Sequence, residues 1–283
     1  MEQWLLQYQV WCRIVCFVLA FSALSMLETF YTWRPWIISR RIRIARHLSL
    51  SVLSKMCIRL IFPFFTVALA VHLEQKEMGI LHQPHWPYAA RIILGIIGLD
   101  LVMYLLHRMY HKYQWLWRVH RVHHMDKELD ASTGLRFHPI EEIITTAAKM
   151  TGIAFLGALP LCVLIFEVSL NLFTMFAHIN IQFKHKTDVK IRRCFISPGM
   201  HRMHHSCYLP ETNSNYGFIF SWWDKLLGTY TYVSVSGERK LALGLEEYQD
   251  AKYQFFENML WIPFNLKRLR VKTKKRPKLK MSV

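Results

Sequence analysis

Eight histidines in three short clusters are the residues of this chain best suited to chemistry. His107 and His111 are spaced i, i+4. His120, His123 and His124 are spaced i, i+3, i+4, and His201, His204 and His205 repeat that spacing. On a helix each spacing puts its imidazoles on one face, one turn apart. A lone histidine on an apolar face is an ordinary core residue, but each of these clusters can aim two or three nitrogens at one spot. The chain holds 15 histidines and eleven fall between His107 and His205, so the excess is local. Zinc sites take about four ligands and an octahedral ion about six. Eight imidazoles therefore argue for two metal ions. Imidazole suits zinc, copper, iron and nickel alike, so ligand type alone does not choose among them.

The elements that carry these residues are constrained by phase. His111 and His120 are nine steps apart, and at about 100° per residue that is half a turn out of register. One straight helix would aim the first two clusters in opposite directions, so a break is expected between Lys112 and Arg118. Tyr113, Trp115 and Trp117 around that break suit a membrane interface.

The rest of the sequence supplies the membrane. Of 283 residues, 53% are hydrophobic and only 19% charged, which excludes disorder, collagen and coiled coil. Yet Lys and Arg number 36 against 19 Asp and Glu, a formal charge of +17. An oily chain that is also basic suggests a membrane protein facing anionic headgroups. Apolar runs cover 10–33, 57–73 and 89–106, the last with only Arg91 and Asp100 inside. The first is long enough to span, and the Met1-Glu2 start is unlike a signal peptide. A longer stretch, 143–181, is divided by Gly157-Ala158-Leu159-Pro160 and is expected to form a helical hairpin. The basic stretch 34–59 and the tail from Lys267 to Lys280 fall on one side of this arrangement, which the positive-inside rule makes cytosolic. All the clustered histidines fall on that side too. No recognised nucleic-acid module accompanies the basic tail, so it reads as solvated or headgroup-binding rather than nucleic-acid-binding. The six cysteines form no C-x-x-C pair and read as small buried hydrophobes.

The expected fold is all-α. It is an integral membrane helical bundle of two N-terminal spans, a third span and a re-entrant or hairpin pair, under a cytosolic helical cap that holds a dinuclear metal site. The expected division is 1–88 for the N-terminal helices and basic loop, 89–232 for the metal domain, and 233–283 for the C-terminal segment. A dinuclear site at the mouth of such a bundle faces a lipid substrate. The useful chemistry there is oxidation of an unactivated C–H bond, which needs iron and O2 rather than zinc.

The three clusters look like the histidine boxes of the fatty acid hydroxylase / sterol desaturase superfamily of membrane di-iron oxygenases. Leu135-Arg136-Phe137-His138-Pro139 and Phe176-Ala177-His178-Ile179-Asn180 resemble segments of its bacterial sterol-desaturase-like branch. So do 197–206 around the third box, Thr212-Asn213-Ser214-Asn215-Tyr216-Gly217, Ser221-Trp222-Trp223-Asp224 and Leu227-Gly228-Thr229-Tyr230. The resemblance covers roughly 90–232. It implies two irons, which zinc could replace in a purified form, O2 as co-substrate, a lipid substrate, and a bacterial protein's place in the inner (cytoplasmic) membrane. It also implies two further ligands between the second and third boxes, for which His138 and His178 fit, making ten. A histidine before proline could instead cap the helix that follows it. His185 fits less well. His47, His72, His82 and His85 match no box and read as interfacial or loop residues.

Positioning partners for the ligands are suggested by phase. Asp100 precedes His107 by seven residues, and Glu167 and Asn171 precede His178 by eleven and seven, each on the same helical face. Acids inside a span are functional candidates by default, and ligating histidines usually donate their second N–H to a carboxylate or carbonyl. Asp126, Asp130 and Glu141 are further candidates. The chain has no G-x-G-x-x-G or haem motif, so electrons are expected from an external protein docking on the basic face. Hydroxylation and desaturation, and sterol, fatty acyl and ether-lipid substrates, share the same spacing. A metal transporter would want histidines along a transmembrane path, whereas these gather on one side. An inactive lipid-binding relative would not need intact boxes.

Overall fold

The computed structural model describes residues 2–62, 66–82, 86–235, 237 and 241–265. Among them it is helical, with two isolated bridges and no strand. The basic tail after 265 and His85 lie outside the described residues.

A short helix α1 (Glu2–Gln7) leads into α2 (Gln9–Phe30), and α3 (Arg40–Ile61) and α4 (Thr66–Gln75) follow. Next come α5 (Tyr88–Lys112) and α6 (Gln114–His124), a 3-10 turn over Ala131–Leu135, then α7 (Pro139–Leu156) and α8 (Pro160–His178). Four stretches are long and apolar enough to cross a membrane: Gln9–Phe30, Arg40–Gln75, Tyr88–Lys112 and Pro160–His178. The expected division of this stretch is present: α7 and α8 are two helices joined by a turn at 157–160. Gly157 closes α7 at φ 64°, where a side chain would be strained, and Pro160 opens α8. The turn presses so closely on the preceding loop that a Cβ on Gly79 would lie 2.2 Å from the Gly157 nitrogen. Only α8 of the pair is among the four apolar stretches, because Glu141, Glu142 and Lys149 interrupt α7.

The bundle interior is a continuous apolar cluster. Leu99 and Met103 of α5 meet Ile153 and Leu156 of α7, and Val163 and Phe166 of α8. At the end where α5 and α8 finish, polar ties replace it. Glu28, fully buried on α2, accepts from the backbone of Ala131 at 2.8 Å and Asn180 at 2.9 Å and pairs with Arg40 at 2.5 Å.

The basic stretch expected as a loop is instead helical from Arg40 to Ile61. Arg43 does not face headgroups. It is buried, with Nη1 2.7 Å from Asp126 and Nε 2.8 Å from Asp130. His47 is not interfacial either: it is buried on α3 with Nδ1 2.8 Å from Ser132 Oγ. One charge per helical turn cannot reveal from sequence which member turns inward to a buried acid.

Candidate metal centre

Four helices deliver the histidines. α5 carries His107 and His111 in its last two turns. The chain then breaks at Tyr113, whose φ −101° and ψ 122° are extended, and α6 restarts with His120, His123 and His124 on its final turn. The break falls inside the expected 112–118 window and brings the two out-of-phase clusters together. His178 is the last residue of α8. A fourth helix in this site, α9 (His185–Ile191) being passed over, is α10 (Pro198–His204). It starts on Ser197, whose Oγ accepts from Met200 N at 3.2 Å, with Pro198 at the first helical position.

Nine of the ten candidate ligands converge, in two adjoining groups. His107, His111, His120, His124 and His204 form one; His123, His178, His201 and His205 form the other. Within each group the ligand atoms lie within 4.8 Å of one another. The rings of His124 and His205 stack at 4.4 Å across the boundary. All nine are buried except His111, which is half-buried.

The donor set fits metal ions. His178 Nε2 lies 3.0 Å from the Nε2 atoms of His123 and His201 and 3.1 Å from that of His205. His120 Nε2 lies 3.1 Å from those of His107 and His124. Nitrogens so spaced about one point stand about 2 Å from it, the length of a metal–imidazole bond. The opposite ring nitrogens show which atom is left for a metal. His107 Nδ1 donates to Tyr216 O at 2.7 Å, His204 Nδ1 to Ser214 O at 2.7 Å, and His178 Nδ1 to Thr174 O at 2.6 Å. His120 Nδ1 lies 2.5 Å from Glu141 Oε1. Each leaves Nε2 facing its group. His111 Nε2 and His204 Nε2 are buried with no hydrogen-bond partner. Burial first, then repulsion by neighbouring imidazoles, pushes His120, His123, His124, His201, His204 and His205 well below the ordinary histidine range. They are neutral at pH 7, the form that ligates.

His138 does not join them. It caps α7, its Nδ1 accepting from Ile140 N at 3.1 Å, and its Nε2 donates to Leu260 O at 3.3 Å. Burial lowers it to about 4, so it is a neutral acceptor suited to capping. His185 opens α9 and belongs to neither group.

The partners expected from phase do not touch the histidines. Asp100 accepts from the backbone of Ile219 and Phe220 and from the Trp223 indole at 3.0 Å. Glu167 pairs with Arg13 and Lys149, and Asn171 Nδ2 donates to Glu167 O. Asp126 and Asp130 hold Arg43. Shared phase fixes direction only: seven residues are about 10 Å along a helix and eleven about 16 Å, far beyond hydrogen-bond reach. Glu141, one of the three further candidates, is the acid that reaches a clustered histidine.

Sequence reasoning missed the carbonyl partners, because a backbone oxygen has no residue signature. Ser214 and Tyr216 flank Asn215, which adopts φ 56°. Its side chain donates to Met200 O and Thr231 O and accepts from Thr231 N at 2.9 Å. Asp224 accepts from Tyr216 N at 2.8 Å and Gly217 N at 2.9 Å, holding the same loop.

The fatty acid hydroxylase family model matches residues 92–229, which contain all nine clustered histidines. This segment belongs to the fatty acid hydroxylase family. Its relatives act on different lipids. An ornithine lipid hydroxylase of Rhizobium tropici is 34% identical to the chain over 146 residues, 51% of this chain and 43% of the relative. A human alkylglycerol monooxygenase is 25% identical over 176 residues, 60% of this chain and 37% of the relative. A rat cholesterol 25-hydroxylase is 26% identical over 167 residues, 58% of this chain and 54% of the relative. The chain thus spans about half the length, or less, of these curated relatives. No solved structure matches it significantly.

Two spaces open on the hydroxylase-family histidines. A void of about 10 Å³ is bordered by members of both groups, with Phe137 and Phe218. That is about the least room a single water-sized molecule needs. A cavity of about 600 Å³ reaches His107 and His120 and extends between α2, α3, α7 and α8. Val10 and Ile14 on its wall are among the exposed apolar residues.

Proposed function

We propose that the chain is an O2-dependent lipid hydroxylase or desaturase of the membrane, with two iron ions held by the nine clustered histidines. The observation that carries this is the junction of the two histidine groups with a cavity of about 600 Å³ that leads to exposed apolar residues of the bundle. Cavities of about 300–1,000 Å³ accommodate small-molecule and lipid-sized ligands.

When bound, the irons supply the O2 chemistry that oxidises an unactivated C–H bond. The chain's own residues do the rest. Tyr216 O, Ser214 O, Thr174 O and Glu141 take the outward nitrogens of His107, His204, His178 and His120, fixing ring orientation. Phe137 stacks on His123 at 4.5 Å, and Phe218 lies 5.0 Å from His107, keeping water from the void between the groups. The cavity then holds the lipid with its reacting carbon beside His107 and His120. Electrons come from an external protein, and the histidine-bearing end faces the cytosol.

The test is lipid analysis of cells with and without the chain under ¹⁸O2. A lipid gaining one labelled oxygen, absent from a His204→Ala strain, supports hydroxylation; loss of two hydrogens indicates desaturation. Purified protein that lacks iron on expression in iron-replete medium and moves zinc across vesicles would sink the oxygenase reading. The similarity to the alkylglycerol monooxygenase favours ether-lipid cleavage as the second reading. Release of a fatty aldehyde would identify it.

A further inference from the structure

The large cavity changes character along its length. Near His107 and His120 its wall is Met103, Leu106, Phe137 and Phe218. Farther along α7 and α8 the wall is ionic. Glu167 there meets two cations at once: Arg13 Nη2 lies 2.5 Å from Oε2, and Lys149 Nζ lies 3.0 Å from Oε1. Thr66 Oγ1 donates to Oε2 at 3.0 Å. Both carboxylate oxygens are therefore occupied, and one positive charge is left over. Arg13 Nε is buried with no hydrogen-bond partner. The remaining charges do not cancel the surplus. Lys55 pairs with Glu142 at 2.7 Å, and Glu141 is taken by His120. Charged side chains within a span are costly and persist where they have a use.

We infer that the cavity takes a lipid bearing an anionic group, a carboxylate or a phosphate, which docks against Arg13 and Lys149 while its hydrocarbon runs toward His107 and His120. This rests on the reading that the cavity is the substrate's. An anion there completes the two cations that Glu167 only half neutralises. The same helices set the reach. Lys149 and Glu141 are eight residues apart on α7, and Glu167 and His178 eleven apart on α8, or about 12 and 16 Å. At roughly 1.2 Å per bond of an extended chain, that is about ten to thirteen bonds between the anionic group and the reacting carbon. A lipid with a long chain fits; a neutral sterol leaves Glu167 alone to balance Arg13 and Lys149.

The test is binding, with no turnover involved. The purified full chain in detergent micelles is titrated with radiolabelled palmitate, dipalmitoyl phosphatidic acid and hexadecylglycerol, which share a chain length and differ in charge. The wild type is expected to hold an anionic probe about tenfold more tightly than hexadecylglycerol. The stronger of palmitate and phosphatidic acid names the group. Arg13→Gln/Lys149→Gln loses that preference while keeping hexadecylglycerol binding. Glu167→Gln, which removes the competing carboxylate, strengthens anionic binding several-fold. Equal wild-type binding of charged and neutral probes overturns the inference, even if neither variant folds. So does a folded Glu167→Gln protein that binds anions more weakly, as loss of a purely structural ion pair would produce. A chain that binds anionic lipids yet oxidises none refutes the proposed oxygenase function alone. One that oxidises neutral lipids with no anionic preference refutes only the present inference.

Discussion

His138 and His178 stand at the far ends of two helices joined by one turn, yet only His178 turns Nε2 toward the other histidines. Their substitutions should therefore diverge. His178→Ala is expected to take iron content from about two per chain to one or fewer, because four ligands make the usual minimum for a closed site. His138→Ala should leave iron content unchanged and cost about 1 kcal/mol of stability through the lost helix cap. Elemental analysis beside thermal unfolding separates the two, and iron loss in His138→Ala would place that ring in the centre after all. Glu141→Gln keeps the size of the group that orients His120 but weakens the hydrogen bond. A loss of metal affinity of about 10–100-fold is expected, measured by competition with a chelator.

Among the elements, α3 carries the largest hidden cost. Arg43 is buried against Asp126 and Asp130 and also reaches Glu128 O at 2.7 Å, tying α3 to the segment that follows the second histidine cluster. Burial alone would raise Asp126, but the Arg43 and Arg136 guanidinium groups more than offset it and hold the carboxyl well below its usual range. Arg43→Met strands those acids, and a loss of about 3–5 kcal/mol is expected in denaturant unfolding. A change under 1 kcal/mol would mean that water reaches the pair. This network also marks where sequence reading stopped. The apolar runs located helices α2, α5 and α8, the Gly157–Pro160 segment located the turn between α7 and α8, and a phase mismatch located the Tyr113 break. Each is a local or periodic signal. Arg43 gave none, because its acids are 83 and 87 residues away and a basic stretch looks alike whether solvated or buried. Asp100 and Glu167 misled for a related reason: periodicity reports the face of a helix and not the height along it.

For the molecule as a whole, the histidine-bearing end is an acid-labile core. Histidines unfold to a pKa near 6.5, while burial and mutual repulsion hold those of α6 and α10 well below that in the folded chain. The unfolded state therefore takes up more protons as pH falls through about 6.5. Stability of the metal-free chain is expected to be fullest above that pH and to decline below it. Unfolding midpoints from pH 7.5 to 5.5 test this, and a flat profile would show that protonation in the folded state is not resisted. The Asp126 pair weakens only at far lower pH, since its folded value is depressed, so the two effects are separable on the pH axis.

The sharing of helices between the two histidine groups has a consequence for loading. α6 gives His120 and His124 to one group and His123 to the other. The third cluster is split too, with His204 in one group and His201 and His205 in the other. An ion that fixes the rotation of α6 for its own ligands fixes it for its neighbour's, so occupancy of one group lowers the ordering entropy left for the second. Filling should then be cooperative. A graded iron titration of metal-free protein is expected to yield mainly empty and fully loaded chains by native mass spectrometry, with few that carry a single ion.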